Sequence, residues 1–116
     1  DMSESDERIE KRMTEMRETA KKFAADKEKK EHLDEFKKSK LAILMKKYER
    51  EGHKTSAGQE REARADAEYL QLLDALKTAI ESSEALRWEL KIFEIAVDVW
   101  RTKESSKRIE RKGYSA

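Results

Sequence analysis

The sequence has no cysteine, no proline and only three glycines among 116 residues. Without cysteine there can be no disulfide and no thiolate metal site. The composition fits a reducing compartment, and a cytoplasmic location is the expectation. Without proline, no position forces a helix to kink or stop. Aromatic residues make up 7% of the chain. No apolar run approaches the roughly 20 residues that span a bilayer, and no signal peptide is visible. Membrane partners are therefore not expected. Met2 is expected to be the natural start, with Asp1 left from a tag.

Chemistry-bearing patterns are equally sparse. His32 and His53 stand alone, so no metal site is expected. No Ser–His–Asp or Cys–His arrangement can be assembled with any specificity. Gly58, in the run TSAGQE, lacks the lysine and the glycine spacing of a phosphate-binding loop. Neither catalysis nor a cofactor is expected.

What the chain does have is charge. Charged residues make up 46% and hydrophobic ones 36%. That balance borders on disorder, but the apolar residues recur at helical spacing, and the composition is that of long helices. A chain of this length is one ordinary domain.

The expected architecture is all-α: a long antiparallel helical hairpin, self-associating into a helical bundle or ring. The first helix should run over about 5–51, with Ser5 as its cap. Ile9, Met13, Met16, Ala20 and Phe23 step by four, three, four and three, the spacing of a coiled-coil seam. The next seam positions on that register are polar, and the pattern resumes out of register at Leu33. Residues 26–31 are the site where a break would fall, although they are good helix formers, and a continuous helix is equally compatible with them. Gly52 suits the C′ position because it accepts positive φ, which places a turn at about 52–56. Ser56 and Gln59 fit a capping box opening a second helix over about 57–108. In it Tyr69, Leu73, Leu76, Ile80 and Ser83 form a stripe, with Leu70 and Leu72 widening it. A tail over 109–116 should fray.

The second helix contains LRWELKIFEIAVDVW, Leu86–Trp100. Leu86, Leu90, Phe93, Val97 and Trp100 fall on one face. Trp88, Ile92, Ile95 and Val99 fall on roughly the opposite one. A helix apolar on both faces needs cover from two directions. The first helix can supply one cover. A second copy of the chain would supply the other, making Trp88, Ile92, Ile95 and Val99 an oligomer interface. The alternative is a first helix that breaks near residue 26 and folds back over the stripe.

Net charge is +1, but its distribution alternates. Residues 1–36 carry −3, 37–64 carry +5, 65–100 carry −5 and 101–116 carry +4. Basic side chains surround the turn and close the chain. Two such blocks could hold an anionic partner, with Tyr48 and Tyr114 as candidate stacking aromatics if that partner is a single strand. The bland reading is a solvated helical surface of mixed charge.

The run KSKLAILMKKYEREG (Lys38–Gly52), the polar turn, the later helix with Trp88 and the closing RTKESSKR (Arg101–Arg108) resemble small phage recombination mediator proteins. The resemblance spans roughly residues 33–108 and rests on helical pattern and a few identities. It implies a ring or other homo-oligomer that binds single-stranded DNA through basic groups and helps load a recombinase in place of a single-strand binding protein. Carried over, the DNA-binding residues are Lys38, Lys40, Lys46, Lys47 and Arg50 near the turn, with Lys54 beside them, and Arg101, Lys103, Lys107 and Arg108 at the end. The recombinase or another replication protein would be a partner. The competing expectation is a helical adaptor or inhibitor that binds another protein through its apolar faces, with no nucleic-acid role.

Overall fold

The structure, a computed structural model, describes the backbone of residues 3–115 and the side chains of residues 3–113. Asp1, Met2 and the side chain of Tyr114 lie outside the described residues, and so do the expectations attached to them. The chain is an all-α helical hairpin. Among the described residues there are three helices and no strand: α1 (Glu4–Arg50), α2 (Ser56–Ala65) and α3 (Ala67–Ser115). It divides into two compact units. The turn unit, Ala24–Glu84, holds the end of α1, all of α2 and the start of α3. The terminal unit pairs the start of α1 with the later part of α3.

α1 runs without interruption through residues 26–31. Its buried and half-buried positions include Ile9, Met16, Thr19, Phe23, Asp26, Lys30, Leu33, Lys37, Lys40, Leu44 and Lys47. Every step is three, four or seven residues, so one heptad register holds along the helix. The expected shift of register at Leu33 does not occur. Thr19, not Ala20, is the seam residue, and Met13 lies exposed. The polar seam positions do not interrupt the helix, because lysine lays its methylene stem along the seam while its ammonium reaches water or a carboxylate. Asp26 is satisfied there by a hydrogen bond that the Ser82 hydroxyl donates to its Oδ2.

α3 keeps the same rhythm. Tyr69, Leu72, Leu76, Ala79, Ser83, Leu86, Leu90, Phe93, Val97, Trp100 and Glu104 are buried or half-buried at alternating steps of three and four. Leu72 and Ala79 occupy the seam where Leu73 and Ile80 were expected, and Ile80 is exposed. The larger apolar side chain is not the one that faces inward at this step; position in the heptad decides.

Helix ends depart from expectation in three places. The first cap is Ser3, not Ser5: Ser3 Oγ accepts from Asp6 N at 3.1 Å, while Asp6 and Glu7 complement the helix dipole. The cap of α2 is Thr55, not Ser56. Its Oγ1 accepts from Gly58 N at 3.0 Å, and Gln59 Nε2 instead donates to His53 O at 2.9 Å. A Cβ at residue 58 would stand 3.0 Å from Thr55 Oγ1, so glycine leaves room for that cap. Finally, the frayed tail expected from 109 is helical as far as Ser115. Residues 101–112 contain no helix breaker, and Lys107 pairs with Glu104 one turn away at 3.4 Å.

The turn itself is a Schellman motif. Gly52 takes φ +108°. His53 N donates to Tyr48 O at 3.1 Å and Gly52 N to Glu49 O at 3.1 Å, which satisfies carbonyls that the end of α1 would otherwise leave bare.

The single second helix expected over 57–108 is divided at Asp66. This residue has φ −65° and ψ 138°, an extended conformation that ends α2 and starts α3. Both carboxylate oxygens are used. Oδ1 accepts from Glu68 N at 2.8 Å and so caps α3. Oδ2 accepts from the Tyr48 hydroxyl at 2.6 Å and from Lys47 Nζ at 3.3 Å. The bend brings Ala63 of α2 against Leu44 and Tyr69, with Leu41, Met45, Tyr48 and Leu73 around them. An uninterrupted helix would forgo that cluster and three hydrogen bonds to one buried carboxylate.

Candidate functional site

On α3, in the terminal unit, the two faces of Leu86–Trp100 meet different surroundings. Phe93 is only 7% exposed, and the guanidinium of Arg12 lies 5.9 Å from its ring centroid. Trp88, Ile92, Ile95 and Val99 are 56%, 61%, 56% and 47% exposed. Ile109, farther along the same face, is more exposed still. A surface leucine or isoleucine needs no explanation by itself. Four large apolar side chains exposed in one contiguous row on one helix are a different matter, because scattered surface apolar residues do not line up in this way.

The row is straight for a physical reason. Its steps of four, three and four repeat the heptad spacing of the buried seam on the same helix. Beside it run Arg87 and Lys91, then Glu94 and Asp98. Charge therefore reverses along the flank. Arg87 also lies over the Trp88 ring, 4.9 Å from its centroid.

The basic residues near the turn separate into two sets. Lys40 and Lys47 are half-buried and bound inward. Lys40 Nζ reaches Glu68 at 2.9 Å, and Lys47 Nζ reaches Asp66 at 3.3 Å. Their ammonium groups hold α1 to α3 and to the bend. Lys38, Lys46, Arg50 and Lys54 are exposed. Of these, Lys38 makes a pair with Glu35 within α1, at 3.3 Å.

Charge coupling at the bend shows in the titration of its members. The hydrogen bond from Tyr48, then that from Glu68 N and the nearby Lys47, holds the Asp66 carboxyl below the usual carboxylate range, against the opposing effect of burial. The same Asp66 raises Tyr48 and Lys47 above their ordinary values, in each case first through the hydrogen bond it accepts. Tyr48 is thereby engaged at its hydroxyl, and its ring carries the Lys47 ammonium 5.2 Å from the centroid.

The basic residues at the chain end lie in the terminal unit. Arg101 reaches Asp98 at 4.0 Å, and Arg108 Nε reaches the backbone oxygen of Glu104 at 3.5 Å. Lys103 and Lys107 line a groove of about 430 Å³ with Ser5, Arg8, Ile9, Arg12, Ala96, Val99 and Trp100. Trp100 is fixed there by its indole Nε1, which donates to Ser5 Oγ at 3.2 Å. The lining contains four cationic side chains and no carboxylate. A groove of about 380 Å³ elsewhere in the same unit is lined by Met13, Met16, Glu94, Val97, Asp98 and Arg101, with acids outnumbering bases. Arg8 and Arg12 escaped the sequence analysis because they sit in an N-terminal segment whose overall balance is acidic.

Among the described residues no helix is long and apolar enough to cross a membrane. No group of three or more His, Cys, Asp or Glu is placed there to hold a metal ion. Compared with protein-family models, curated proteins and solved structures, the chain matches none.

Proposed function

We propose that this protein is a non-catalytic, self-associating helical accessory of phage-type DNA recombination or replication, which binds single-stranded DNA and assists recombinase loading. The observation that carries the self-association is the uncovered row of Trp88, Ile92, Ile95 and Val99. Burying one such side chain contributes roughly 1.5–3 kcal/mol, so four give a strong drive to associate. A second copy fits the row better than an arbitrary partner does. An identical helix presents the same heptad spacing, and an antiparallel arrangement sets Arg87 and Lys91 of one copy against Asp98 and Glu94 of the other.

The DNA role is supported by the exposed cations at the turn, Lys38, Lys46, Arg50 and Lys54, and by Lys103 and Lys107 at the chain end. It is supported also by the resemblance of residues 33–108 to recombination mediators. A surface of lysines and arginines without base-reading geometry suits phosphate contacts of low sequence preference.

The test is molar mass in solution, with and without oligo-dT. Ile92→Lys combined with Val99→Lys should bring the mass toward the monomer while helicity is kept. Loss of helicity at unchanged mass would mean that the row is internal core. A monomeric wild type would remove the self-association reading, and the same row would then serve a different protein.

A further inference from the structure

We infer that the groove between the start of α1 and the later part of α3, walled by Arg8 and Arg12 on one side and Lys103 and Lys107 on the other, is the principal site where a single-stranded phosphodiester backbone lies. This rests on the single-strand reading above and narrows it to one place. It also adds two residues, Arg8 and Arg12, that lie outside both basic blocks.

The arrangement is two by two. On each helix the cations are four residues apart, just over one turn, so successive charges along either wall are separated by about 6 Å of rise. Two parallel rows of charge at that pitch suit a linear polyanion better than a compact one such as a lone phosphate, which can occupy only one end. No carboxylate lines the groove to oppose an anion. Of the four cations, Lys107 is paired with Glu104 at 3.4 Å, and Arg12 lies over Phe93 at 5.9 Å, which fixes its direction. Arg8 and Lys103 make no ion pair among the described residues. Concentrating like charges in one groove raises the local potential, and an anionic strand relieves their repulsion.

The groove also offers an aromatic surface. Trp100 lines it, and its indole N–H is held by Ser5 Oγ at 3.2 Å. A single strand differs from other polyanions in presenting bases that stack on such rings, and stacking tolerates any sequence. The exposed row of α3 shares Val99 with this groove, so a second copy packed on the row would lie beside the bound strand.

The experiment uses the full chain and a fluorescent oligo-dT, with affinity measured by anisotropy across a salt series. Arg8→Gln with Arg12→Gln, and separately Lys103→Gln with Lys107→Gln, should each weaken binding about tenfold at low salt. Each should also make the slope of log K against log salt shallower by about 1.4, two contacts at roughly 0.7 each. The lysine pair is the safer variant for folding, since neither residue packs on the core, and helicity should be unchanged. In an amide NMR titration, the Trp100 indole resonance, assigned through Ser5→Ala, should move with oligo-dT. Wild-type binding that both double variants retain, with an unshifted Trp100 resonance, overturns the groove and leaves DNA binding to the turn block. A wild type that fails to bind oligo-dT even at low salt overturns the single-strand reading itself, and the groove assignment falls with it.

Discussion

The hydroxyl of Tyr48 donates a 2.6 Å hydrogen bond to Oδ2 of Asp66, eighteen residues farther along the chain. This contact, with Lys47 on the same oxygen, ties the end of α1 to the bend between α2 and α3. Remove the carboxylate and the Tyr48 hydroxyl, the Lys47 ammonium and the first turn of α3 lose a partner together.

The pH dependence of stability follows from this network. Asp66 has a folded-state pKa below its ordinary value of 3.8. Its stabilising contribution is therefore present above the unfolded-state pKa and is lost as pH falls from there through the folded one. Tyr48 and Lys47 are raised above 10.0 and 10.5. Their contributions are complete below those values and are lost as pH rises beyond them. Thermal unfolding followed by circular dichroism should show losses at both extremes. Asp66→Asn should lower the wild-type melting temperature at neutral pH and flatten the acid limb below pH 4.

Adjacent lysines should separate two roles. Lys46 is exposed and Lys47 faces Asp66. Lys46→Glu should leave the melting temperature nearly unchanged, since surface substitutions away from special contacts usually lie within about 0.5 kcal/mol. Any effect it has should be on oligonucleotide affinity. Lys47→Glu places a second negative charge beside Asp66 and should lower the melting temperature clearly, before any question of DNA arises. Equal melting temperatures for the two variants would deny the Lys47–Asp66 pair a structural role.

A second adjacent pair tests the packing. Leu44 is 2% exposed at the centre of the turn-unit cluster, and Ile43 is 54% exposed. Leu44→Ala should cost about 2–5 kcal/mol through lost burial and the cavity left behind. Ile43→Ala should cost less than about 1 kcal/mol. Urea denaturation with a common slope is the appropriate measurement.

The helical hairpin and its glycine turn were legible because they rest on local facts: no proline anywhere, apolar residues at helical spacing, and Gly52 where positive φ is needed. The bend at Asp66 was not. The run ARADAEY reads as good helix, and the reasons for the bend, Tyr48 and Lys47, lie on another element. The seam register departs from the apolar pattern for a related reason. Ala20, Leu73 and Ile80 are apolar and Thr19 is not, yet the seam takes Thr19, Leu72 and Ala79. Over a long helix a fixed repeat outweighs the hydrophobicity of any one residue. Among candidate site residues, sequence could mark Lys40 and Lys47 as basic but not show that their charges are directed at Glu68 and Asp66. The row Trp88–Val99 was visible as a second apolar face, since two opposed stripes on one helix need no tertiary information to detect.

The shared heptad register of α1 and α3 limits how the length of this chain can drift. One residue inserted into either helix rotates all that follows by about 100°, carrying seam leucines to the surface and surface glutamates inward. Seven residues restore the face. Viable length variants of such a helix should therefore differ by whole heptads, while the turn, where Gly52 and Thr55 are separated from either seam, can absorb single residues.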